Sequence, residues 1–264
     1  TGLTGTYTGL YLKPSASANI YLGSDGSTVL SGTSSTDSSS NITIQADKAS
    51  ILANGTFKTI ATTTAAVVLE SVGNLFTAAV DATAFSVSGG PSSVRVGKTT
   101  NTGDVTLGSA ITSVGAINVY GGSITVNGGL TSTASSGTGI LLKASVNINQ
   151  TGALTTSGAN VVAWSDSDST NGGFIWLKSG SRITTTSAAG NIVLSGGNVA
   201  DVAAGYASGM TTTMGNGITI DAASLYSFGG DITLRGKSAA TATSYTSSDG
   251  TTSNANGIRV HGSV

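Results

Sequence analysis

One short phrase recurs along the chain: a glycine, a small or polar residue, then aliphatic residues at alternate positions. It reads Gly103-Asp104-Val105-Thr106-Leu107, Gly115-Ala116-Ile117-Asn118-Val119 and Gly122-Ser123-Ile124-Thr125-Val126. It returns as Gly190-Asn191-Ile192-Val193-Leu194, Gly217-Ile218-Thr219-Ile220, Gly230-Asp231-Ile232-Thr233-Leu234 and Gly257-Ile258-Arg259-Val260. Each copy is a turn residue followed by a strand of period two. A single such strand cannot bury its apolar side alone. A stack can, because each rung covers the one before it.

The spacing between phrases is irregular, which a propeller or a hexapeptide repeat would not tolerate. A right-handed parallel β-helix does tolerate it, because only the strands must stack while the corners vary in length. This predicts an all-β chain, a right-handed parallel β-solenoid of ten to fourteen coils, with loops at 31–40, 131–137, 195–214 and 236–256. Two or three immunoglobulin-like sandwiches are the alternative, but Asn-Gly hairpin signals such as those at 54–55 and 127–128 are few. Strands are expected at 104–107, 116–119, 123–126, 139–143, 145–149, 160–164, 173–177, 181–185, 191–194, 217–220, 230–235 and 257–260. Less regular ones are expected at 18–22, 41–45, 66–70 and 93–96. The whole of 1–264 reads as one solenoid segment, looser over 1–99 and regular over 100–264, and as part of a longer chain.

Alternation assigns the inner face. Val105, Leu107, Ile117, Val119, Ile124, Val126, Ile140, Leu142, Val146, Ile148, Ile175, Leu177 and Ile183 should point inward. So should Ile192, Leu194, Ile218, Ile220, Ile232, Leu234, Ile258 and Val260. Asn19, Asn41, Asn160 and Asn191 fall at turn positions where side-chain amides can ladder between coils.

Composition narrows the function classes. Only 9% of residues are charged and net charge is −1, so electrostatic binding of nucleic acid or an anionic membrane is unsupported. Cysteine is absent, which removes disulfides, thiolate catalysis and thiolate metal sites. Ser and Thr make up about 30% of the chain, well above ordinary usage. No apolar run approaches the length of a membrane-spanning helix.

The phrases at 190–194 and 230–234 resemble the repeats of filamentous-haemagglutinin-like adhesins and giant bacterial surface proteins. So do Val161-Val162-Ala163-Trp164-Ser165-Asp166-Ser167-Asp168 and Gly172-Gly173-Phe174-Ile175-Trp176-Leu177. The resemblance covers residues 100–264 well and 1–99 loosely. It implies a parallel β-helix exported to the bacterial cell surface, acting as a stalk, adhesin or fibre.

Parallel β-helices also carry polysaccharide lyases and hydrolases. Those need converging carboxylates, or carboxylates with a basic partner, on one face. Here Glu70 is the only Glu, the Asp residues are scattered, and the single histidine, His261, lies near the end of the sequence. No catalytic residue and no cofactor is assigned. Asp166 and Asp168 are the one close acidic pair. They could hold a weak Ca²⁺, against the preferred reading of a solvated loop with Asx turns. If Ile175 and Leu177 point in, Phe174 and Trp176 point out, with Trp164 nearby. The three form a candidate contact surface for surface glycans or host proteins, or they pack beneath a neighbouring loop. Solenoids need caps, and no capping helix is legible at either end. The expected partners are therefore further segments of a longer chain or, second, other copies stacked end to end.

Overall fold

The computed structural model describes the strands at 9–12, 29–30, 41–45 and 56–58, and then residues 66–262 apart from 72, 77, 84, 89, 188, 211–213, 240–244, 247–251 and 254. Nearly all regular structure is β, with one short 3₁₀ turn at Val202–Ala204. The strands gather into three long sheets in which every pair is parallel.

The chain visits the three sheets in rotation. Ala66–Glu70 lies on the first face, Val80–Ala82 on the second and Ser86–Ser88 on the third. Ser93–Val96 then returns to the first face and pairs with Ala66–Glu70. The same circuit recurs through Ile117–Gly121, Ile124–Val126 and Leu130–Ser132, then Thr138–Ala144, Ile148–Gln150 and Ala153–Thr156. Two more follow: Asn160–Ser165, Ile175–Leu177 and Arg182–Thr185, then Ile192–Gly196, Ile218–Asp221 and Ser224–Ser227. Three faces visited in a fixed cyclic order, with parallel pairing at each return, make a parallel β-helix. The first face stacks nine strands, from Gly9–Leu12 to Ile232–Leu234. That is fewer than the ten to fourteen coils expected, because two long insertions take up chain that short corners would have spent on further rungs.

Register shows why the sequence folds this way. On the first face Val67, Val94, Ile117, Ile140, Val161, Ile192 and Ile232 are aligned rung upon rung. On the second, Val80, Val105, Ile124, Ile148, Ile175, Ile218 and Ile258 align in the same way. One contiguous core, from Val67 to Ala223, results. A one-residue slip would turn an entire rung inside out, so the columns specify the register.

The third face is built differently. Four successive strands carry one inward aliphatic followed by an inward hydroxyl: Ile111 and Ser113, Leu130 and Ser132, Leu154 and Thr156, Ile183 and Thr185. The hydroxyls are buried and donate to backbone carbonyls at the corner leading back to the first face. Ser113 Oγ bonds Pro91 O at 2.9 Å, Ser132 Oγ bonds Gly115 O at 2.8 Å, and Thr185 Oγ1 bonds Gly190 O at 3.0 Å. At Gly115 and Gly190 the hydroxyl satisfies a corner carbonyl, and at Pro91 it adds to the bond that the Val114 amide already donates.

Asparagine and aspartate form a second device. Asn160 Oδ1 accepts from the Asn191 amide at 2.9 Å, and Asn191 Oδ1 from the Asp231 amide at 2.8 Å. Asp104 does the same for Ser123 at 2.6 Å. Asn160 and Asn191 thus link coils as expected, but from side chain to backbone, not amide to amide. Asn19 lies outside the described residues, as do the expected strand 18–22 and loop 31–40. The Asn41 side chain is likewise not described.

Of the expected loop 131–137, residues 131–132 belong to the rung Leu130–Ser132 and 133–137 form the corner before Thr138–Ala144. The other two are long insertions between the first and second faces. Residues 197–217 contain the 3₁₀ turn and the strand Ala207–Ser208. Residues 235–257 contain Gly236–Lys237 and an antiparallel pair, Tyr245–Thr246 with Thr252–Ser253. Ala207–Ser208 pairs in parallel with Gly236–Lys237, so the insertions of successive coils stack on each other as the rungs do.

Five expected core residues fall short of full burial. Val146 is half-buried because it sits at a corner before its strand. Ile232, Ile258 and Val260 are exposed and Leu234 is half-buried. These four belong to the last rungs, and among the described residues no further coil lies over them.

Candidate functional site

The corner between the first and second faces carries the residues singled out by the sequence. Three successive coils enlarge it with the loops 166–174, 197–217 and 235–257. Gly173 and Ser208 exchange backbone bonds of 2.8 and 3.0 Å, and the Gly209 amide reaches Lys237 O at 2.9 Å. The three loops therefore build one lobe on the side of the helix.

The aromatic residues do not form one exposed platform. Phe174 is only 4% exposed. It does turn away from the main core, but the insertion of the next coil covers it, and it packs with Met214, Met210 and Trp176. Trp176 is half-buried on the outer side of the second face. Its indole donates to Asp221 Oδ2 at 2.8 Å, and Lys178 Nζ lies 4.7 Å from its ring centroid. The expectation that Phe174 offers a contact surface is thus corrected, and the structure has it packing beneath a neighbouring loop.

Trp164 projects from the first face, outside that cluster. Its indole donates to Gly197 O at 2.8 Å, and Lys143 Nζ sits 4.1 Å from its ring centroid. Lys143, Trp164 and Ser195 are register partners on consecutive rungs, and Arg235 follows Leu234 on the next. The Arg235 guanidinium lies 4.3 Å from the Tyr206 ring and donates to its hydroxyl at 2.5 Å. This side of the lobe is a strip of aromatic rings paired with cations. Lys143, Tyr206 and Arg235 went unnoticed in the sequence. The signal that could have found them is one-coil register, which needs the coil lengths first.

The acidic pair divides into two unlike residues. Asp168 is exposed and its Oδ1 accepts from the Thr170 amide at 3.0 Å, an Asx turn as expected. Asp166 is not a solvated loop residue. It is buried, has a left-handed φ of 51°, and its Oδ1 has no hydrogen-bond partner. Burial pushes its carboxyl above the usual carboxylate range and the Asp168 charge adds to this, while Ser208 and Lys237 pull the other way. A cationic Lys237 near the carboxylate also weakens the case for Ca²⁺ there. Among the described residues no three His, Cys, Asp or Glu side chains gather in metal-binding geometry.

Elsewhere, Arg95 pairs with Glu70 at 2.6 Å on the first face. Burial raises the Tyr120 phenol, against the opposing pull of Arg95. His261 Nδ1 lies 4.0 Å from Asp221 Oδ1.

The fold and the lobe define a class, a β-solenoid with a decorated corner. Comparison with family models, with curated proteins and with solved structures finds no match to this chain.

Proposed function

We propose that this chain is a non-catalytic structural and adhesive segment of an exported bacterial surface fibre or adhesin stalk. The observation that carries this reading is the set of unbroken aliphatic columns running through successive coils. Columns of this kind transmit load along the axis with no hinge between rungs. The outer surface is short hydroxyl and amide side chains at low charge density, which suits an extended, protease-exposed rod. The resemblance of 161–168, 172–177, 190–194 and 230–234 to filamentous-haemagglutinin-like repeats points the same way. An antibody raised against residues 100–264 should label intact source cells without permeabilisation. Labelling only after permeabilisation would contradict the reading.

A second reading is favoured by one observation, the strip of Lys143, Trp164, Tyr206 and Arg235. Half-exposed rings flanked by cations suit contact with glycans or a host protein. An enzyme acting on polysaccharide is the remaining alternative. It would need the Asp166 carboxyl and the neighbouring Lys237 to open onto a substrate groove, whereas Asp166 is buried.

A further inference from the structure

Over three rungs the outer side of the first face breaks the alternation of the repeated phrase. Ile140-Leu141-Leu142, Val161-Val162-Ala163 and Ile192-Val193-Leu194 are unbroken apolar runs. The first and third residue of each run lie in the core, and the middle residue does not. Leu141, Val162 and Val193 point outward instead and are register partners on successive rungs. Leu141 and Val193 are half-buried, and Val162 between them is 8% exposed. The rungs on either side return to polar outward residues, Asn118 before Leu141 and Thr233 after Val193. Val68 is a further outward aliphatic of this face, set apart by Arg95 and Asn118. The matching outward positions carry no aliphatic on the second face, at Thr106, Thr125 and Asn149, or on the third, at Thr112, Thr131 and Thr155. Parallel strands that read apolar on both sides belong to sheets covered on both sides.

The charge around this strip selects its occupant. Lys143, Trp164 and Ser195 form the next outward column on the same rungs, and Arg235 follows Leu234 one rung on. The insertion 197–217 reaches that column, with Ser195 Oγ donating to Gly205 O at 2.7 Å. Among the described strands of the face Glu70 is the one carboxylate, and it is paired with Arg95. The one carboxylate of the insertion, Asp201, accepts from the Ala203 amide at 3.0 Å. Lys143 and Arg235 thus flank the strip with positive charge. A second copy of the same face would bring like charges together, which disfavours self-association. Sugar hydroxyls would find no donor or acceptor on three aliphatic side chains. Aliphatic side chains accompanied by carboxylates meet both requirements, and a polypeptide supplies them.

We propose that Leu141, Val162 and Val193, flanked by Lys143 and Arg235, dock a segment of a partner protein that carries aliphatic side chains beside Asp or Glu. Its aliphatics lie on the apolar strip and exclude water, and its carboxylates meet the two cations at the rim. The inference rests on the second reading above, that this side of the lobe is a contact surface, and names the class of partner. It does not depend on where in the cell the chain is found.

The test pans a random-peptide phage library on the full 264-residue chain. Enriched peptides should combine aliphatic residues with Asp or Glu. One of them, made with a fluorescent label, should bind the chain in an anisotropy titration, and more weakly at higher salt. Leu141→Thr together with Val193→Thr should weaken that binding about tenfold or more. Thr keeps the β-branched shape that strands favour, and both positions lie outside the core, so urea unfolding should show the variant folded. Lys143→Glu should weaken binding as well, and tests the proposal without altering the apolar strip. No enrichment, enriched peptides without acidic residues, or equal binding to the unaltered chain and both variants would overturn the proposal. Self-association of the unaltered chain that Leu141→Thr with Val193→Thr abolishes would also overturn it, by making a second copy the occupant. Oligogalacturonate binding to the chain while no peptide does would overturn it too, and would leave the contact-surface reading intact.

Discussion

A Cβ placed on Gly103, Gly115, Gly122, Gly190, Gly217, Gly230 or Gly257 would lie within 3 Å of a backbone carbonyl oxygen. For Gly115 that carbonyl belongs to Ser92, and for Gly122 to Thr102, each one coil below. None of the seven has a left-handed φ. The glycine of the repeated phrase is thus required by the close approach of stacked corners, not by an unusual backbone turn. Asp166 shows the opposite kind of constraint. It holds a left-handed φ and a buried carboxyl whose Oδ1 is unpartnered. Because burial raises its folded-state pKa, the folded protein binds this proton more tightly than the unfolded chain does. Stability therefore falls as pH rises from the unfolded value through the raised folded value, and stays lower above it. Asp166→Asn keeps a residue that tolerates the left-handed region and removes the charge. Urea unfolding should find the variant more stable by about 1 kcal/mol near neutral pH, with the gap closing by about pH 3. A variant less stable at neutral pH would mean that the pull of Ser208 and Lys237 on the carboxylate outweighs the cost of its burial.

At the scale of elements, the first and second faces were legible and the third was not. Ile117-Asn118-Val119 and Ile124-Thr125-Val126 place two aliphatics at alternate positions, which is the signature of a half-buried strand. Ile111-Thr112-Ser113 and Leu130-Thr131-Ser132 place one, because the second inward position is a hydroxyl committed to a corner carbonyl. Such strands look like turn sequence. Arg182–Thr185 was the third-face strand expected from the sequence, on the strength of Ile183 within a run of threonines. The burial of Phe174 was not legible either, since it depends on Met210 and Met214 packing against it from the insertion of the next coil. Column position sets the energetic role of each aliphatic. Leu142 is fully buried between Val119 and Ala163. Leu142→Ala should cost about 2–5 kcal/mol. Val260→Ala, at the exposed last rung, should cost less than about 1 kcal/mol in the monomer. Equal losses at the two sites in thermal or urea unfolding would contradict the column account.

At the scale of the whole molecule, the solenoid is a one-dimensional stack in which each coil touches only its neighbours. Its fold was readable because the phrase repeats. The lobe at the corner between the first and second faces was not, because it depends on which rung lies next to which. The central claim is that successive coils stack in parallel, in the register that sets Ile117 between Val94 and Ile140. Asn118 and Leu141 are Cα partners on adjacent rungs of the first face, and Val162 lies one rung further. The chain contains no cysteine, so introduced pairs report without interference. Adjacent rungs bring Cα atoms about 4.8 Å apart, within disulfide range, and two rungs place them beyond it. Under mild oxidation, Asn118→Cys with Leu141→Cys should form an intramolecular disulfide nearly completely, and Asn118→Cys with Val162→Cys should not. Cross-linking of the second pair and not the first, or of neither, would contradict the account.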